Sequence, residues 1–299
     1  MHDFDLIVIG QGYAGLRAAR AARDRGLTVA TCEAVMAGGA VATVLRLDPS
    51  PVPFTGSGPD LGAIVAMENM DGGIVPYFEA ATHLSPEPRG GWRMSLPSGS
   101  HHARHVILAT GTRPRALGVP GEAEFAGSGV SRCADCDGPR VRDRDALVVG
   151  GGDAAFQEAA ILARFARSVT IVLRGARPRA RAALVEPVLA ATNVHLLRES
   201  RLGAIHGTSE EGVTGATLLT PSGPATRACA GVFILAGGAA DTRLVPPSLP
   251  RGADGGLVAE EGGRLGLPGL WAAGSVRSGF RGGLREAGED GARVAAALG

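Results

Sequence analysis

The chain has 299 residues, enough for about two ordinary domains that each bury a core of their own. Apolar residues make up 45% of it and charged residues 20%, which is the composition of a globular protein. The formal net charge of +1 excludes a global field that would attract nucleic acid or an anionic membrane. All 30 of its lysine and arginine residues are arginines, so a lysine-dependent mechanism is excluded.

The N-terminus predicts the compartment. Residues 1–5 are acidic and run directly into a short apolar segment, with neither a basic leader nor a long apolar stretch. We therefore expect a cytoplasmic protein with no membrane and no nucleic-acid partner. Four cysteines in a chain of this size are too few for a disulfide framework, and in a reducing compartment a C-x-x-C pair is catalytic or metal-binding.

The first motif is a strand, a glycine turn and a helix. Residues 5–9 are typical of a buried parallel strand, and the alanine-rich segment 16–25 is typical of a helix. Between them lies the turn Gly10-Gln11-Gly12-Tyr13-Ala14-Gly15. The first glycine permits the tight turn, the second lets a pyrophosphate approach the backbone, and the third lets helix and strand pack closely. This pattern predicts a dinucleotide site.

An acid completes the site. The strand predicted over 27–32 ends at Glu33, where a carboxylate can accept hydrogen bonds from an adenosine ribose. The strand over 106–111 ends in Ala109-Thr110-Gly111, a small-residue turn where backbone can approach a cofactor.

The segment 36–104 is less regular. It contains a Pro/Gly/Ser stretch at 49–60, a helix over 60–70, and two strands over 92–96 and 102–110 that we expect to pair antiparallel. Three histidines lie at the turn that enters the second of these strands, namely His101, His102 and His105. Because no acid or cysteine is nearby, we expect them to be solvated rather than to bind metal.

A second segment repeats the strand, glycine turn and helix of the first, which predicts a second domain. A strand over 146–149, a G-x-G-x-x-A turn and a helix over 156–166 are followed by a strand over 169–173. The turn reads Gly150-Gly151-Gly152-Asp153-Ala154-Ala155. In place of an acid, the next strand leads into Arg174, Arg177, Arg179 and Arg181, which suit the 2′-phosphate of NADP. The alternative is a solvated arginine face.

The chain then returns to the first domain. A strand over 231–237 ends the second domain in the same way as 106–111, and a proline-rich linker at 246–250 leads to a strand over 269–276 that we expect to re-enter the first domain. The last segment, 284–298, is amphipathic and predicts a helix. This approximate internal duplication predicts that one chain binds two dinucleotides.

Cys133-Ala134-Asp135-Cys136-Asp137 separates the two motifs. Two cysteines at this spacing can close a reversible disulfide, and a neighbouring carboxyl can move the proton. The alternative is half of a zinc site, which needs a second pair of ligands. The remaining cysteines, Cys32 and Cys229, stand alone in apolar, strand-like contexts.

Together these motifs resemble the low-molecular-weight thioredoxin reductases over nearly the whole chain. Further matching segments are Leu117 to Glu122, Gly129-Val130-Ser131, Cys133 to Gly138, and Ala272-Ala273-Gly274. The resemblance implies an α/β fold of two Rossmann-like domains, each a three-layer unit in which a parallel sheet carries an antiparallel β-meander. It implies an FAD-binding domain in two parts, 1–115 and 244–299, around an NAD(P)-binding domain, 116–243. It also implies a homodimer and a rotation of the domains that brings the disulfide and the nicotinamide to the flavin in turn.

The resemblance assigns roles to individual residues. Cys136 faces the flavin, Cys133 exchanges with the partner's disulfide, and Asp137 is the acid/base. The residues expected to bind FAD are Gly10, Gly12, Tyr13, Ala14, Gly15, Glu33, Ala109, Thr110, Gly111, Gly274, Ser275, Arg281 and Gly282. Those expected to bind NADPH are Gly150, Gly152, Asp153, Ala154, Arg174 and Arg179.

This chain departs from the family at several of these positions. The acid that usually follows the final Ala-Ala-Gly is Ser275, and the usual His-Arg-Arg of the phosphate clamp is Leu173-Arg174-Gly175. Around the disulfide, Arg132 and Pro139-Arg140 stand where aromatic residues are usual, and Gly282 replaces a glutamine.

Three functions follow from these patterns. The first is an FAD-dependent dithiol–disulfide oxidoreductase that takes electrons from NADPH and reduces a thioredoxin-like protein or a small-molecule disulfide. The second runs the same centre backwards, as an oxygen-dependent oxidase that forms a disulfide in a small-molecule dithiol. The third is a flavoprotein sensor that has lost turnover.

Overall fold

The computed structural model describes residues 3–47 and 50–299. The first two residues of the acidic N-terminus, and the first residue of the predicted stretch 49–60, lie outside the described residues. In chain order the helices and strands are β1 (Phe4–Ile9), α1 (Tyr13–Asp24), β2 (Val29–Cys32), α2 (Gly58–Asp71), β3 (Val75–Tyr77), β4 (His83–Pro86), β5 (Trp92–Leu96), β6 (Gly99–Leu108), β7 (Thr112–Pro114), β8 (Val130–Ser131), α3 (Ala134–Asp137), β9 (Asp145–Val149), α4 (Asp153–Leu162), β10 (Ser168–Val172), α5 (Ala182–Leu189), β11 (Val194–Leu197), β12 (Arg201–Thr208), β13 (Gly212–Thr220), β14 (Gly223–Ala228), β15 (Gly231–Ile234), β16 (Gly238–Ala240), β17 (Leu270–Ala272) and α6 (Leu284–Ala296).

The chain divides into two compact units. Unit 1 comprises residues 1–113 and 239–299, and unit 2 comprises residues 114–238. The boundaries expected from the sequence, after 115 and after 243, lie a few residues C-terminal to these. The crossing segments are the short strands β7 and β16, which pair with each other.

A mostly parallel sheet forms the centre of unit 1. Its strand order is β3-β2-β1-β6-β5-β4, and β17 also pairs with β6. The side chains of Leu6, Ile7 and Val8 are fully buried, because helices or loops cover both faces of a parallel sheet. Leu270 pairs with Val106 in parallel register, which confirms that the strand predicted at 269–276 returns to the first domain.

The antiparallel part of this sheet is also as predicted. Trp92 of β5 lies opposite Ala103 of β6, so the two segments predicted to pair antiparallel do so. The histidine prediction was wrong in its detail. His101, His102 and His105 lie on β6 itself and are half-buried rather than solvated, and His101 Nδ1 lies 3.1 Å from the hydroxyl of Tyr77. Side-chain packing across a twisted sheet decides such exposure, and the turn signal did not reveal it.

Unit 2 contains a second parallel sheet and a separate meander. The parallel strands run in the order β11-β10-β9-β15-β8, and β12, β13 and β14 form an antiparallel sheet. The strands over 201–228 were not predicted, although Leu202, Ile205 and Leu218 supply buried side chains there. With a parallel sheet and a meander in each unit, the structure confirms the predicted α/β fold class.

The helices that follow the glycine turns begin three residues earlier than predicted. Helix α1 begins at Tyr13 rather than 16, and α4 begins at Asp153 rather than 156. Gly12 and Gly152 are the N-cap residues, so the last residues of each glycine motif belong to the helix. No helix in the described ranges, 3–47 and 50–299, is long and apolar enough to cross a membrane.

Helix α6 packs closely on α1 in unit 1. A Cβ atom added to Gly291 would lie 2.0 Å from the carbonyl oxygen of Ala14, far inside van der Waals contact. A Cβ atom added to the nearby Gly288, which is also buried, would lie 2.7 Å from the ring of Tyr13. Glycine is therefore required on this face of α6 for the helix to approach the start of α1.

We expect Gly291→Ala to destabilise unit 1 by about 2 kcal/mol or more, because backbone cannot yield to the new methyl group. Helix propensity alone would stabilise the variant by about 1 kcal/mol, so the sign of the change is diagnostic. The measurement is urea unfolding followed by circular dichroism. Glu289→Ala, at an exposed position of the same helix, is the control and should stay within about 0.5 kcal/mol of the parent. A stability equal to that of the control would contradict the packing argument.

Candidate active site and nucleotide sites

In the first glycine turn the backbone packs so closely that two positions have no room for a side chain. Gly10 has φ +103°, and a Cβ atom there would lie 2.4 Å from the carbonyl oxygen of Ala109. A Cβ atom on Gly15 would lie 2.0 Å from the carbonyl oxygen of Gly10. The turn is thereby pressed against the end of β6. The first turn of α1 carries no acid and its N-cap makes no side-chain hydrogen bond, so its N–H groups are free to meet an anion.

A cavity lies beside this turn in unit 1. Its volume is about 190 Å³, and its lining includes Gln11, Glu33, Asn69 and Phe78. The carboxylate of Glu33 accepts hydrogen bonds from the backbone N–H groups of Gln11, at 3.2 Å, and Val35, at 3.1 Å. These two bonds fix the carboxylate at the end of β2 and leave lone pairs for further donors.

Asn69 was not predicted. It is buried, its Nδ2 donates to the carbonyl oxygen of Leu16 at 3.0 Å, and its Oδ1 has no hydrogen-bond partner within the described part of the chain. A buried amide oxygen without a partner is costly unless a ligand supplies the donor. A polar residue in an apolar helix was the only signal that the sequence offered.

This set of hydrogen-bond acceptors fits the adenosine end of FAD. Ribose hydroxyls and the exocyclic amino group of adenine are donors, and the site offers them the oxygens of Glu33 and Asn69. The pyrophosphate would meet the N-terminus of α1, where Gly12 leaves open space for its oxygens.

Two turns that follow strands of unit 1 lie side by side. The Thr110 hydroxyl donates to the carbonyl oxygen of Asp241 at 2.7 Å, and the Asp241 N–H donates to Gly111 at 2.9 Å. After β17, the exposed Ser275 places its Oγ atom 3.6 Å from where a Cβ atom of Gly111 would stand. The small turn at 109–111 thus lies directly beside the turn at 274–275.

An unpredicted acid holds that second turn. Asp290, on α6, is buried, and its Oδ2 accepts the backbone N–H of Gly274 at 2.7 Å. Its Oδ1 pairs with the guanidinium groups of Arg277 and Arg293. A buried carboxylate is stable only with such partners, so Asp290 fixes the backbone next to Ser275 although residue 275 itself carries no charge.

Arg281 and Gly282 lie near the start of α6, and both are exposed. Arg281 lines a cavity of about 260 Å³ together with Arg277 and Arg293. A Cβ atom on Gly282 would lie 2.4 Å from the Cβ of Glu286, so this backbone geometry excludes the larger side chain that is usual there.

The second glycine turn repeats the first in unit 2. A Cβ atom on Gly150 would lie 2.3 Å from the carbonyl oxygen of Leu235 at the end of β15, while Gly152 has open space around it. Asp153 begins α4, and its carboxylate accepts hydrogen bonds from the backbone N–H of Arg181 at 2.9 Å and its Nε at 2.7 Å. Ala154 is exposed. Arg181 is therefore committed to Asp153.

The other arginines of the predicted clamp are available. Arg174, Arg177 and Arg179 are exposed, and in the described residues none of them forms an ion pair. The Arg179 N–H donates to the carbonyl oxygen of Gly151 at 2.7 Å, which anchors the arginine loop to the glycine turn. Leu173, by contrast, is buried. Its Cδ2 atom lies 2.9 Å from the position that a Cβ atom on Gly151 would occupy.

The C-x-x-C segment forms a disulfide. Cys133 and Cys136 are joined with a Cα–Cα distance of 5.3 Å, at the start of the short helix α3. The Cys136 N–H points at the Cys133 sulfur at 3.1 Å. Cys136 is exposed and Cys133 is half-buried.

Asp137 is held by two side chains. The Ser131 hydroxyl donates to its Oδ2 at 2.6 Å, and Arg140 Nε lies 3.5 Å from its Oδ1. Ser131 Oγ also accepts the N–H of Cys133 at 3.1 Å. One hydroxyl thus connects the acid to the backbone of the first cysteine, a role that the sequence analysis did not assign to Ser131.

The other two cysteines are unsuited to exchange. Burial raises the pKa of the Cys32 thiol to about 11 and that of the Cys229 thiol to about 12. Cys32 lies in unit 1 and Cys229 in unit 2, and both are free thiols. Thiolate is the reactive form, so the reactive sulfurs are those of Cys133 and Cys136.

We expect alkylation to separate these two classes of thiol. At about pH 8, after reduction by a phosphine, Cys133 or Cys136 should react with iodoacetamide at least about 100-fold faster than Cys32 or Cys229, whose thiolate fractions are lowered by their raised pKa values. Peptide mass spectrometry gives the rates. Raising the pH toward 11 should speed the labelling of Cys32 before that of Cys229. Equal labelling of all four cysteines in the native state at about pH 8 would contradict the burial argument.

Comparisons with known proteins agree with this geometry. The profile of the pyridine nucleotide-disulphide oxidoreductase family matches residues 4–296. The chain is 33% identical over 283 residues to the thioredoxin reductase of Treponema pallidum, covering 92% of this chain and 90% of that protein. It is 36% identical over 280 residues to the thioredoxin reductase of Streptomyces clavuligerus, covering 91% and 85%.

Solved structures give the same result. The crystal structure of Lactococcus lactis thioredoxin reductase is similar with a TM-score of 0.93 and 27% identity, over 99% of this chain and 98% of that one. The crystal structure of T. acidophilum thioredoxin reductase is similar with a TM-score of 0.90 and 27% identity, over 100% of this chain and 98% of that one. The thioredoxin reductase family uses FAD and NADPH. The chain therefore belongs to the pyridine nucleotide-disulphide oxidoreductase family as a thioredoxin reductase-like, FAD-dependent oxidoreductase that acts on disulfides, which confirms the resemblance seen in its motifs.

Proposed function

We propose that the enzyme passes electrons from NADPH, through FAD and the Cys133–Cys136 disulfide, to the disulfide of a thioredoxin-like protein or of a small molecule. The observation that carries this proposal is the disulfide turn itself, with its acid Asp137 held by Ser131. A dithiol that reduces a second disulfide releases a thiolate, and a carboxyl held in the same turn can supply the proton that this thiolate takes up. The relatives named as thioredoxin reductases support a protein disulfide as the acceptor.

Unit 1 would hold FAD. The glycine turn, Gly10, Gly12, Tyr13, Ala14 and Gly15, would bind its pyrophosphate, and Glu33 would accept hydrogen bonds from its ribose. The other residues that would hold the cofactor are Ala109, Thr110, Gly111, Gly274, Ser275, Arg281 and Gly282. Bound there, FAD supplies the conversion of a hydride from nicotinamide into an electron pair for a disulfide. The chain's own part is to fix the cofactor by backbone contacts, and Asp290 keeps the Gly274 turn in place for this purpose.

The exchange step uses both sulfurs and one acid. In the dithiol form, Cys133 gives up its proton and its thiolate attacks the acceptor disulfide; a mixed disulfide forms, and the acceptor's first sulfur leaves and takes up that proton. Cys136 then gives its proton to the Asp137 carboxylate and its thiolate attacks the Cys133 sulfur, so that the intramolecular disulfide re-forms and the acceptor's second sulfur leaves. Asp137 donates the proton that this second sulfur takes. Two electrons and two protons have then moved from the enzyme to the acceptor.

Unit 2 would hold NADPH. Gly150 and Gly152 would bind its pyrophosphate, next to Asp153 and Ala154 at the start of α4. Arg174 and Arg179 would bind its 2′-phosphate, because Arg174 follows the end of β10, the backbone of Arg179 contacts the glycine turn, and both are exposed and free of carboxylate partners within the described residues. Asp153 keeps Arg181 turned toward α4 rather than toward the phosphate.

A second function is favoured by two observations. Leu173 occupies the first position of the family's phosphate clamp and is buried, so it cannot touch a phosphate. The disulfide is also flanked by charged rather than aromatic residues, since Arg132 lies 3.4 Å from Glu122 and Arg140 contacts Asp137. These features suit an oxidase that forms a disulfide in a small-molecule dithiol and passes the electrons to oxygen.

Anaerobic titration separates the two functions. For the reductase, NADPH should bleach the visible absorbance of the bound flavin. Cys136→Ser should keep this bleaching and lose disulfide reduction by at least about 100-fold, because the relay has lost one sulfur. Bleaching by a dithiol but by neither NADPH nor NADH would establish the oxidase instead. Ser222→Ala, at an exposed turn of the meander, is the control and should behave as the parent.

Nucleotide preference tests the clamp. We expect Arg174→Ala and Arg179→Ala each to raise the KM for NADPH about tenfold, which is the loss of one charge-assisted hydrogen bond, and to leave the KM for NADH within about twofold. Arg227→Ala removes an exposed arginine of β14 and serves as the matched control. Steady-state reduction of a disulfide substrate with each nucleotide gives these constants. Equal effects on both nucleotides would refute the assignment of the phosphate to these arginines.

A further inference from the structure

Glu158 is a half-buried carboxylate that neither the nucleotide site nor the exchange step described above uses. It lies on α4, on the turn of the helix that follows Gly152 and Asp153. Its Oε2 accepts a hydrogen bond from the backbone N–H of Ala134, the residue that follows Cys133. One side chain of the nucleotide-binding helix therefore reaches the redox turn of the same unit.

The bond meets a need of the backbone. Ala134 is the first residue of α3, and the N–H groups of a first turn have no partner inside their own helix. Ala134 is also fully buried. It belongs to the hydrophobic cluster that contains Ala155, Ala159 and Leu162 of α4. Water cannot satisfy its N–H there, so Glu158 is the group that does.

The surroundings of Glu158 are unfavourable for a negative charge. Burial raises the pKa of this carboxyl and the neighbouring Asp135 raises it further, while the hydrogen bond from Ala134 acts in the opposite direction. A carboxylate kept in such a place, instead of the neutral amide that could accept the same hydrogen bond, points to a use for the charge.

We propose that Glu158 is a positioning residue of the redox centre, which fixes the Cys133–Ala134 peptide and sets the equilibrium between the Cys133–Cys136 disulfide and its dithiol. A negative charge beside the turn opposes formation of thiolate and therefore favours the disulfide. The enzyme's dithiol is thereby made a stronger reductant. This inference deepens the proposed function and rests on Cys133–Cys136 being its redox relay.

The test is a direct measurement of that equilibrium in the holoenzyme. The protein is equilibrated without oxygen in buffers of reduced and oxidised dithiothreitol, quenched with acid and alkylated. Mass spectrometry then gives the fraction of Cys133–Cys136 present as dithiol. In this reaction dithiothreitol loses two electrons and two protons and closes its own disulfide, and the enzyme's disulfide takes them up.

We expect Glu158→Gln, which keeps a hydrogen-bond acceptor without the charge, to shift the equilibrium toward the dithiol by about three- to tenfold. A tenfold shift corresponds to about 30 mV for two electrons. Glu158→Ala should shift it at least as far in the same direction. Gln157→Ala, at the exposed neighbouring position on α4, is the matched control and should stay within about twofold of the parent.

The measured equilibria distinguish a structural cap from a residue that sets the redox equilibrium. If both Glu158 variants melt at a lower temperature but keep the parent's equilibrium, Glu158 is only a structural cap and the proposal is overturned. A shift in Glu158→Ala alone would overturn the electrostatic part and leave the hydrogen bond as the positioning contact. Because dithiothreitol replaces NADPH here, a failure of NADPH to reduce the flavin would refute the proposed function without affecting this measurement.

Discussion

The contact between a glycine and a carbonyl oxygen is the constraint on which both units depend. Gly10 is pressed on Ala109 and Gly150 on Leu235, at distances that no side chain could fill. In each unit this contact places a helix N-terminus beside the end of the adjacent parallel strand, the place where open α/β sheets bind ligands. The same close contact between a glycine and a carbonyl oxygen thus forms one candidate anion site in each unit.

In unit 2 the same sheet also carries the redox turn. Strand β8 pairs with β15, which pairs with β9, so Ser131 at the end of β8 and the glycine turn after β9 belong to one parallel layer. Helix α4 then connects the two sites, since it begins at the glycine turn and its Glu158 contacts Ala134. The disulfide closes a turn of only four residues. The contacts of this turn with β8 and α4 therefore maintain its geometry.

Carboxylates in both units are supplied with donors before any ligand binds. Asp137 has Ser131 and Arg140, Glu33 has two backbone N–H groups, and Asp290 has Gly274 with two arginines. A buried or half-buried acid without such partners would lose its charge or destabilise the fold. The replacement of an acid by Ser275 is understandable on this basis, because the buried charge of this turn is carried by Asp290 on another element.

The sequence by itself determined the two nucleotide motifs, the redox pair and the α/β class, because these depend on local rules: glycine where backbone must pass closely, apolar runs in parallel strands, and two thiols at a fixed spacing. It did not reveal Asn69, Ser131, Asp290 or Glu158, whose partners are 53, 6, 16 and 24 residues away in the chain. An isolated polar residue on a helix carries no signal of what it will meet. Only the packing of α2, α4 and α6 on their sheets and turns decided which polar groups are buried together, since burial makes a partner obligatory.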